Sequence, residues 1–220
     1  MAEINKAVIF DMDGVIFDSE RIIIELWEDF GAKNNMPHMH EVTIRCVGLN
    51  DKATEEVFKE VYGDDYDYRR FQKIISKQYH EMADGGKLPM MIGVREILDY
   101  LKNNGYKIAL ASSTRTEVVV NQLKAANIYE YFDKVVCGDM VTHSKPHPEI
   151  FLKAAEELKV DITKSFIIED SYNGIRAAYA AGAKPIMVPD MIEPDDEMRE
   201  KSFIILKNLL EVTEYLKTHN

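Results

Sequence analysis

Short unbroken apolar runs recur along this chain: Ala7-Val8-Ile9-Phe10, Ile108-Ala109-Leu110-Ala111, Val135-Val136-Cys137, Phe166-Ile167-Ile168, Ile186-Met187-Val188 and Phe203-Ile204-Ile205. Runs of three or four are too short for core helices and fit strands buried on both faces of a parallel sheet. Helical patterns separate them. Val94, Ile97, Leu98 and Leu101 share one helix face, closed by Asn104-Gly105. Val118, Val119 and Leu123 form another, with Thr114-x-x-Glu117 read as a capping box. Pro148 is placed to start a helix carrying Ile150, Phe151, Ala154, Ala155 and Leu158. Strand and helix in alternation predict a doubly wound, Rossmann-like α/β sheet.

One stretch breaks the alternation. From about Asp18 to about Lys87 the apolar positions keep helical spacing, as in Ile22-Ile23-Leu26-Trp27 and Phe71-Ile74-Ile75-Tyr79, and no strand pattern intervenes. This predicts an inserted all-helical cap over residues 18–87, with residues 1–17 and 88–220 forming the core and Asp84-Gly85-Gly86 near a hinge. An insertion directly after the first strand would lie over the ligand edge of the sheet and could exclude water from it.

Composition narrows the function classes. With 220 residues, 46% hydrophobic and 30% charged, the chain can bury a sizeable core. Its 38 acidic residues outnumber 27 basic ones, for a net charge of −11, and no basic block is present. A nucleic-acid or anionic membrane surface is therefore not expected, and an anionic substrate must be held locally. Two isolated cysteines, Cys46 and Cys137, argue against a disulfide scaffold. No stretch approaches the roughly 20 apolar residues of a membrane span, and no leader pattern opens the chain, so a cytoplasmic protein is expected.

The chemistry-bearing residues follow the strands. Asp11 and Asp13 come directly after the first apolar run, with Gly14 allowing the chain to break there. Ser112 and Ser113 follow the second, where a helix begins and hydroxyls and amides suit a phosphate. Lys145-Pro146-His147-Pro148 lies in the loop after the third, its prolines stiffening the approach of Lys145. Glu169 and Asp170 follow the fourth, and adjacent carboxylates repel unless a cation neutralises them. Oxygen donors from several strand ends, with no paired Cys or His, favour Mg²⁺ over zinc. His38-x-His40 with Cys46, and His143-x3-His147, do not match a closed zinc set.

The segments DMDGV (11–15), LASS (110–113), KPHPEIF (145–151) and IIEDSYNGIRAAYAAGA (167–183), in this order, strongly resemble the haloacid dehalogenase superfamily and, within it, the β-phosphoglucomutase-like phosphatases and mutases. The resemblance implies a Rossmann-like core, a mobile helical cap and a two-step transfer through an aspartyl-phosphate. On it, Asp11 would be the nucleophile and Asp13 the general acid, then base. Ser112 and Lys145 would hold the phosphoryl oxygens. Mg²⁺ would be held by Asp11, the backbone carbonyl of Asp13 and Asp170, with Glu169 as ligand or support.

Carbon–halogen cleavage needs neither a metal nor an acid two residues past the nucleophile, so phosphoryl transfer is the expected chemistry. A cap lysine acting as a Schiff base, from Lys52, Lys73 or Lys77, is the phosphonatase variant, and a solvated helix face is the plainer reading of those lysines. β-Phosphoglucomutases carry a threonine eight and a histidine twelve residues after the nucleophile, whereas this chain has Ser19 and Ile23. They also carry an arginine three residues after the cap-loop glycine, and counting from Gly48 this chain has Asp51. An aspartate there repels a second phosphate. A phosphatase of a small phosphorylated metabolite is thus expected, acting as a monomer, with Gly48 and Lys52 helping to choose the substrate. The alternatives are a sugar phosphomutase and an idle module that binds a phosphorylated ligand, whose signature would be a lost catalytic residue.

Overall fold

The computed structural model of the chain describes residues 6–47 and 51–219. Six parallel strands form one sheet: β1 (Ala7–Phe10), β2 (Lys107–Ser112), β3 (Lys134–Cys137), β4 (Phe166–Glu169), β5 (Lys184–Met187) and β6 (Ile204–Ile205). Their spatial order is β3-β2-β1-β4-β5-β6, so β1 is central and the order reverses beside it. Ligands of such sheets bind at the carboxyl ends of the strands near this reversal.

Alternation along the strands sorts side chains onto two faces. Val8, Phe10, Ile108 and Leu110 point toward one layer, which α5 (Val94–Asn103), α6 (Thr116–Ala125) and α10 (Leu209–Thr218) cover through Ile97, Leu101, Leu123, Val212 and Leu216. Ala7, Ile9, Ala109 and Ala111 face the other, which α7 (Glu149–Leu158) and α8 (Tyr172–Ala180) cover with Phe151, Ala154, Ala177 and Ala178. The small residues on both sides of this second layer let α7 and α8 approach closely. A short α9 (Asp196–Lys201) precedes β6.

Between β1 and α5 lie four helices: α1 (Ser19–Lys33), α2 (Met39–Cys46), α3 (Asp51–Tyr62) and α4 (Tyr68–Asp84). They share an apolar cluster of Trp27, Met39, Val42, Phe58, Tyr68 and Ile75. The chain leaves and re-enters the sheet layer side by side: the Asp18 N–H donates to Pro89 O (3.0 Å) and the Met91 N–H to Ile16 O (2.9 Å). Ile22 and Ala83, at the two ends of the segment, pack into the main core.

Three local expectations change. The strand expected at Ile186–Val188 starts earlier, at Lys184, and the last strand shrinks to Ile204–Ile205. The capping box at Thr114 is absent, because α6 starts at Thr116 with Arg115 as its cap residue and no side-chain cap of its own. The Thr116 N–H is instead satisfied from across the fold by Asp139 Oδ1 at 3.0 Å, which frees Thr114 for another role. Gly48 lies outside the described residues, and Lys52 is exposed in the first turn of α3.

Candidate active site

Strand register builds the centre of the site. Phe10 is level with Leu110 on one side and Ile168 on the other. The next residue, Asp11, continues the ladder by donating its N–H to Ile168 O at 2.9 Å. Asp11 therefore emerges beside Glu169, at the end of β4, and Ala111, near the end of β2. Immediately afterwards the chain turns, with Ile16 and Phe17 donating N–H groups to Met12 O. Gly14 takes a left-handed φ of +74°, and a Cβ there would come within 2.3 Å of Asp170 Oδ2. Glycine is thus required twice, by conformation and by the carboxylate that occupies the side-chain space.

Lys145 ties these strand ends together. Its Nζ donates to Asp11 Oδ1 and Glu169 Oε1, both at 2.6 Å, and to Ala111 O at 3.4 Å. All three ammonium protons are directed at acceptors. Its side chain is only 8% exposed, and Nζ lies 4.9 Å from the Phe151 ring centroid. Burial opposes the charged form, but Asp11 and Glu169 outweigh it and raise the lysine further, so it stays protonated.

The other Glu169 oxygen, Oε2, accepts from the N–H and the hydroxyl of Ser171, both at 3.0 Å. Both oxygens of Glu169 thus have donors. Ser171 Oγ in turn accepts from Gly174 N at 3.0 Å, capping α8. A Cβ on Gly174 would sit 1.7 Å from Glu169 Oε1, so the helix start and the carboxylate share one space.

Asp13 lies on the far side of the turn, where Thr114 Oγ1 donates to its Oδ2 at 3.3 Å. Burial raises its carboxyl above the ordinary range, while the hydroxyls of Ser19 and Thr114 pull it partly back. Burial likewise pushes Asp11 up to about 7, against the pull of Lys145. Asp170 is raised well above its ordinary value by burial and then by Glu169 and Asp11. Among the described residues no donor reaches the Asp170 carboxylate. Carboxyl oxygens of Asp11, Glu169 and Asp170 lie within 4.8 Å of one another.

Ser112, fully buried at the end of β2, accepts from Thr114 N through its hydroxyl at 3.1 Å, while Ser113 is exposed. Asp11, Lys145, Glu169 and Asp170 therefore converge. Asp13 and Ser112 stand beside them, linked through Thr114, whereas Lys52 lies exposed on α3.

Two further acids belong here. Glu20, in the first turn of α1, and Asp190, after β5, bring carboxyl oxygens within 4.8 Å of Asp170 and each other. Burial, then Asp190, pushes Glu20 up to about 7. Asp190 follows β5 much as Glu169 and Asp170 end β4, a strand-end signal that was readable. Glu20 carried none, because an acid in a helix first turn reads as a dipole partner.

Glu20 also lines a cavity of about 280 Å³ among α1, α2, α3 and the start of α4, walled by Ile24, Trp27, Phe58 and Tyr68 with Thr43 among its polar atoms. Among the described residues no basic side chain lines it. A second cavity joins Glu20 to Asp170 and Arg176, whose guanidinium is engaged by Glu197 (Nε to Oε1, 2.8 Å).

The family model described as haloacid dehalogenase-like hydrolase matches residues 8–188. The chain is 32% identical over 181 residues to a phosphorylated carbohydrates phosphatase of Thermotoga maritima, covering 82% of this chain and 83% of that one. It is 26% identical to hexitol phosphatase B of Escherichia coli K12, with 94% of each chain covered. Among solved structures, a Thermotoga maritima protein provisionally named a β-phosphoglucomutase superposes with a TM-score of 0.81 at 29% identity, covering 98% of this chain and all of that one.

Proposed function

Because the chain belongs to the haloacid dehalogenase-like hydrolase family, we propose that it is a Mg²⁺-dependent phosphatase of a small phosphorylated metabolite, a sugar or polyol phosphate in the first instance. The observation that carries this reading is the buried Lys145 ammonium shared between Asp11 and Glu169 beside the donor-free Asp170. It supplies a fixed positive charge where an anionic phosphoryl group must meet a carboxylate.

In the first step Asp11 attacks phosphorus, forming an O–P bond as the ester P–O bond breaks, and Asp13 gives its proton to the leaving oxygen. In the second, Asp13 takes a proton from water, whose oxygen attacks phosphorus and releases inorganic phosphate and free Asp11. Burial raises the Asp13 carboxyl above the ordinary range, the direction a group that gives and takes a proton requires. Ser112, Ser113 and Lys145 orient the phosphoryl oxygens.

The donor set fits Mg²⁺: all-oxygen, crowded with acids, with no donor on Asp170 among the described residues and a buried, unpartnered Oδ2 on neighbouring Asp190. Asp11 and Asp170 would be the direct ligands, with the Asp13 backbone carbonyl; Glu169, with both oxygens engaged, holds Lys145 and would support them. When bound, the ion offsets the carboxylate and phosphoryl charges. Helices α1–α4, taken as residues 18–87, act as a cap whose cavity receives the leaving group. Among the described residues that line it none is basic, which favours an uncharged leaving group over a second phosphate, and hence hydrolysis over mutase chemistry.

The reading is tested by phosphate release from a panel of phosphorylated metabolites with and without Mg²⁺. Metal-dependent release supports it, and an isomeric product without free phosphate in a bisphosphate-primed assay overturns it. The metal requirement is expected to depend on pH. Asp11, pushed up to about 7, and Asp170, raised well above its ordinary value, must both lose a proton to bind a cation, so apparent Mg²⁺ affinity rises with pH through neutrality. A pH-independent affinity would remove Asp11 from the ligand set.

Glu20 lines the apolar cavity and is placed to accept a hydrogen bond from a leaving-group hydroxyl. Glu20→Gln is expected to raise KM for a polyol phosphate about tenfold, equivalent to about 1.4 kcal/mol, and to keep kcat within about threefold. An unchanged KM counts against Glu20 as a reader of the substrate.

A further inference from the structure

The loop that delivers Lys145 carries a second group of ligating side chains, on its outer face. The His147 N–H donates to Ser144 O at 3.0 Å, and the resulting turn brings His147 back beside His143, with ring centroids 4.5 Å apart and planes 33° from parallel. Both imidazoles approach one oxygen of Glu149, the first residue of α7: Glu149 Oε2 is 2.8 Å from His143 Nδ1 and 3.9 Å from His147 Nδ1. Glu149 is held rigidly, its Oε1 accepting from Thr142 N at 2.8 Å and its Oε2 from His143 N at 2.9 Å. Those backbone donors and His143 keep its carboxyl low, at about 2, and therefore ionised. The Glu149 N–H in turn donates to His147 Nδ1 at 3.3 Å, so both imidazoles turn their Nδ1 atoms toward this one residue.

We propose that His143, His147 and Glu149 form a binding site for a divalent transition-metal ion of the Zn²⁺ type, separate from the carboxylate centre. Three donors, two nitrogen and one oxygen, all lie within 4.8 Å of one another. A tetrahedral ion with bonds of about 2.0–2.1 Å needs donors roughly 3.3 Å apart, and the observed 2.8 and 3.9 Å bracket that value. The ion takes the place of the proton that His143 Nδ1 shares with Glu149 and of the Glu149 N–H that His147 Nδ1 accepts. Side-chain exposures of 61% for His143 and 51% for His147 leave a further coordination position open to water. Imidazole nitrogens select this class of ion over Mg²⁺, which prefers oxygen. The site lies two residues to either side of Lys145, so occupancy reports on, and stiffens, the loop that carries it.

Calorimetric titration of the full chain with Zn²⁺, in excess Mg²⁺, tests the proposal without using turnover as its readout. One Zn²⁺ site is expected in the wild type, weakened at least tenfold by His143→Ala or His147→Ala and kept in Asp11→Asn. Both histidine variants, altered at exposed side chains, should retain the wild-type melting temperature and Mg²⁺-dependent phosphate release. Undiminished Zn²⁺ binding in the double histidine variant, loss of binding in Asp11→Asn instead, or no Zn²⁺ binding by the folded wild type would each overturn the assignment.

Discussion

Asp11→Asn is expected to lower kcat by at least about 10³-fold on the best substrate of the panel, with the melting temperature within a few degrees of wild type. The loss follows from the chemistry: an amide cannot form the acyl-phosphate that splits the reaction into two displacements. The preserved fold follows from the electrostatics. Burial already holds Asp11 up to about 7, so a neutral group of the same shape avoids that desolvation while Lys145 keeps Glu169 as its ion partner. Phosphate release and a thermal melt on the same preparation separate the two effects. A variant that turns over at the wild-type rate would remove Asp11 as nucleophile, and a variant that melts far below wild type would remove the argument from burial.

Lys145→Met should do the reverse, damaging fold and activity together. It leaves two buried carboxylates facing each other without the ammonium that lies 2.6 Å from each. Breaking a buried pair by deleting one partner typically costs about 3–5 kcal/mol, which for a chain of this length is a fall in melting temperature of about 10 °C. The sign with pH is fixed. Removing the cation raises Asp11 further above its unfolded value near 4. Its contribution to stability is complete below that value and is lost as pH climbs through the folded one. The destabilisation should therefore be small at pH 5 and largest at pH 8. Residual activity should fall about 10²–10³-fold even where the variant is folded, because the phosphoryl group loses its fixed charge. Equal melting curves for variant and wild type at pH 8 would contradict the ion-pair argument.

How much of this was readable in the chain depends on whether the controlling contacts are local. The strands were legible because β1, β2 and β4 are buried on both faces, and such strands are unbroken apolar runs. The convergence of Asp11, Glu169, Asp170 and Lys145 followed from placing each at one edge of a parallel sheet. What failed was decided at a distance. Thr114 reads as a helix cap, yet its hydroxyl is drawn to Asp13, 101 positions away, and its capping task passes to Asp139. Glu20 carries no local signal of its own, and tertiary packing alone sets it beside Asp170 and Asp190. The run Phe203-Ile204-Ile205 marks the last strand, but only Ile204 and Ile205 pair with β5, so its short extent was not legible.

Gly14 and Gly174 carry a consequence for how such a site can diversify. Each leaves a volume the size of one methyl group, and each volume is filled by the carboxylate of the neighbouring strand end, Asp170 in one case and Glu169 in the other. Even alanine, the smallest step away from glycine, would evict an acid from the charge network. At these two positions the sheet edge has no intermediate through which to drift, and the reaction it supports is frozen with it. New substrate preferences must then arise from the helical segment opposite, where cavity walls such as Ile24 and Phe58 can be exchanged one at a time without touching the chemistry.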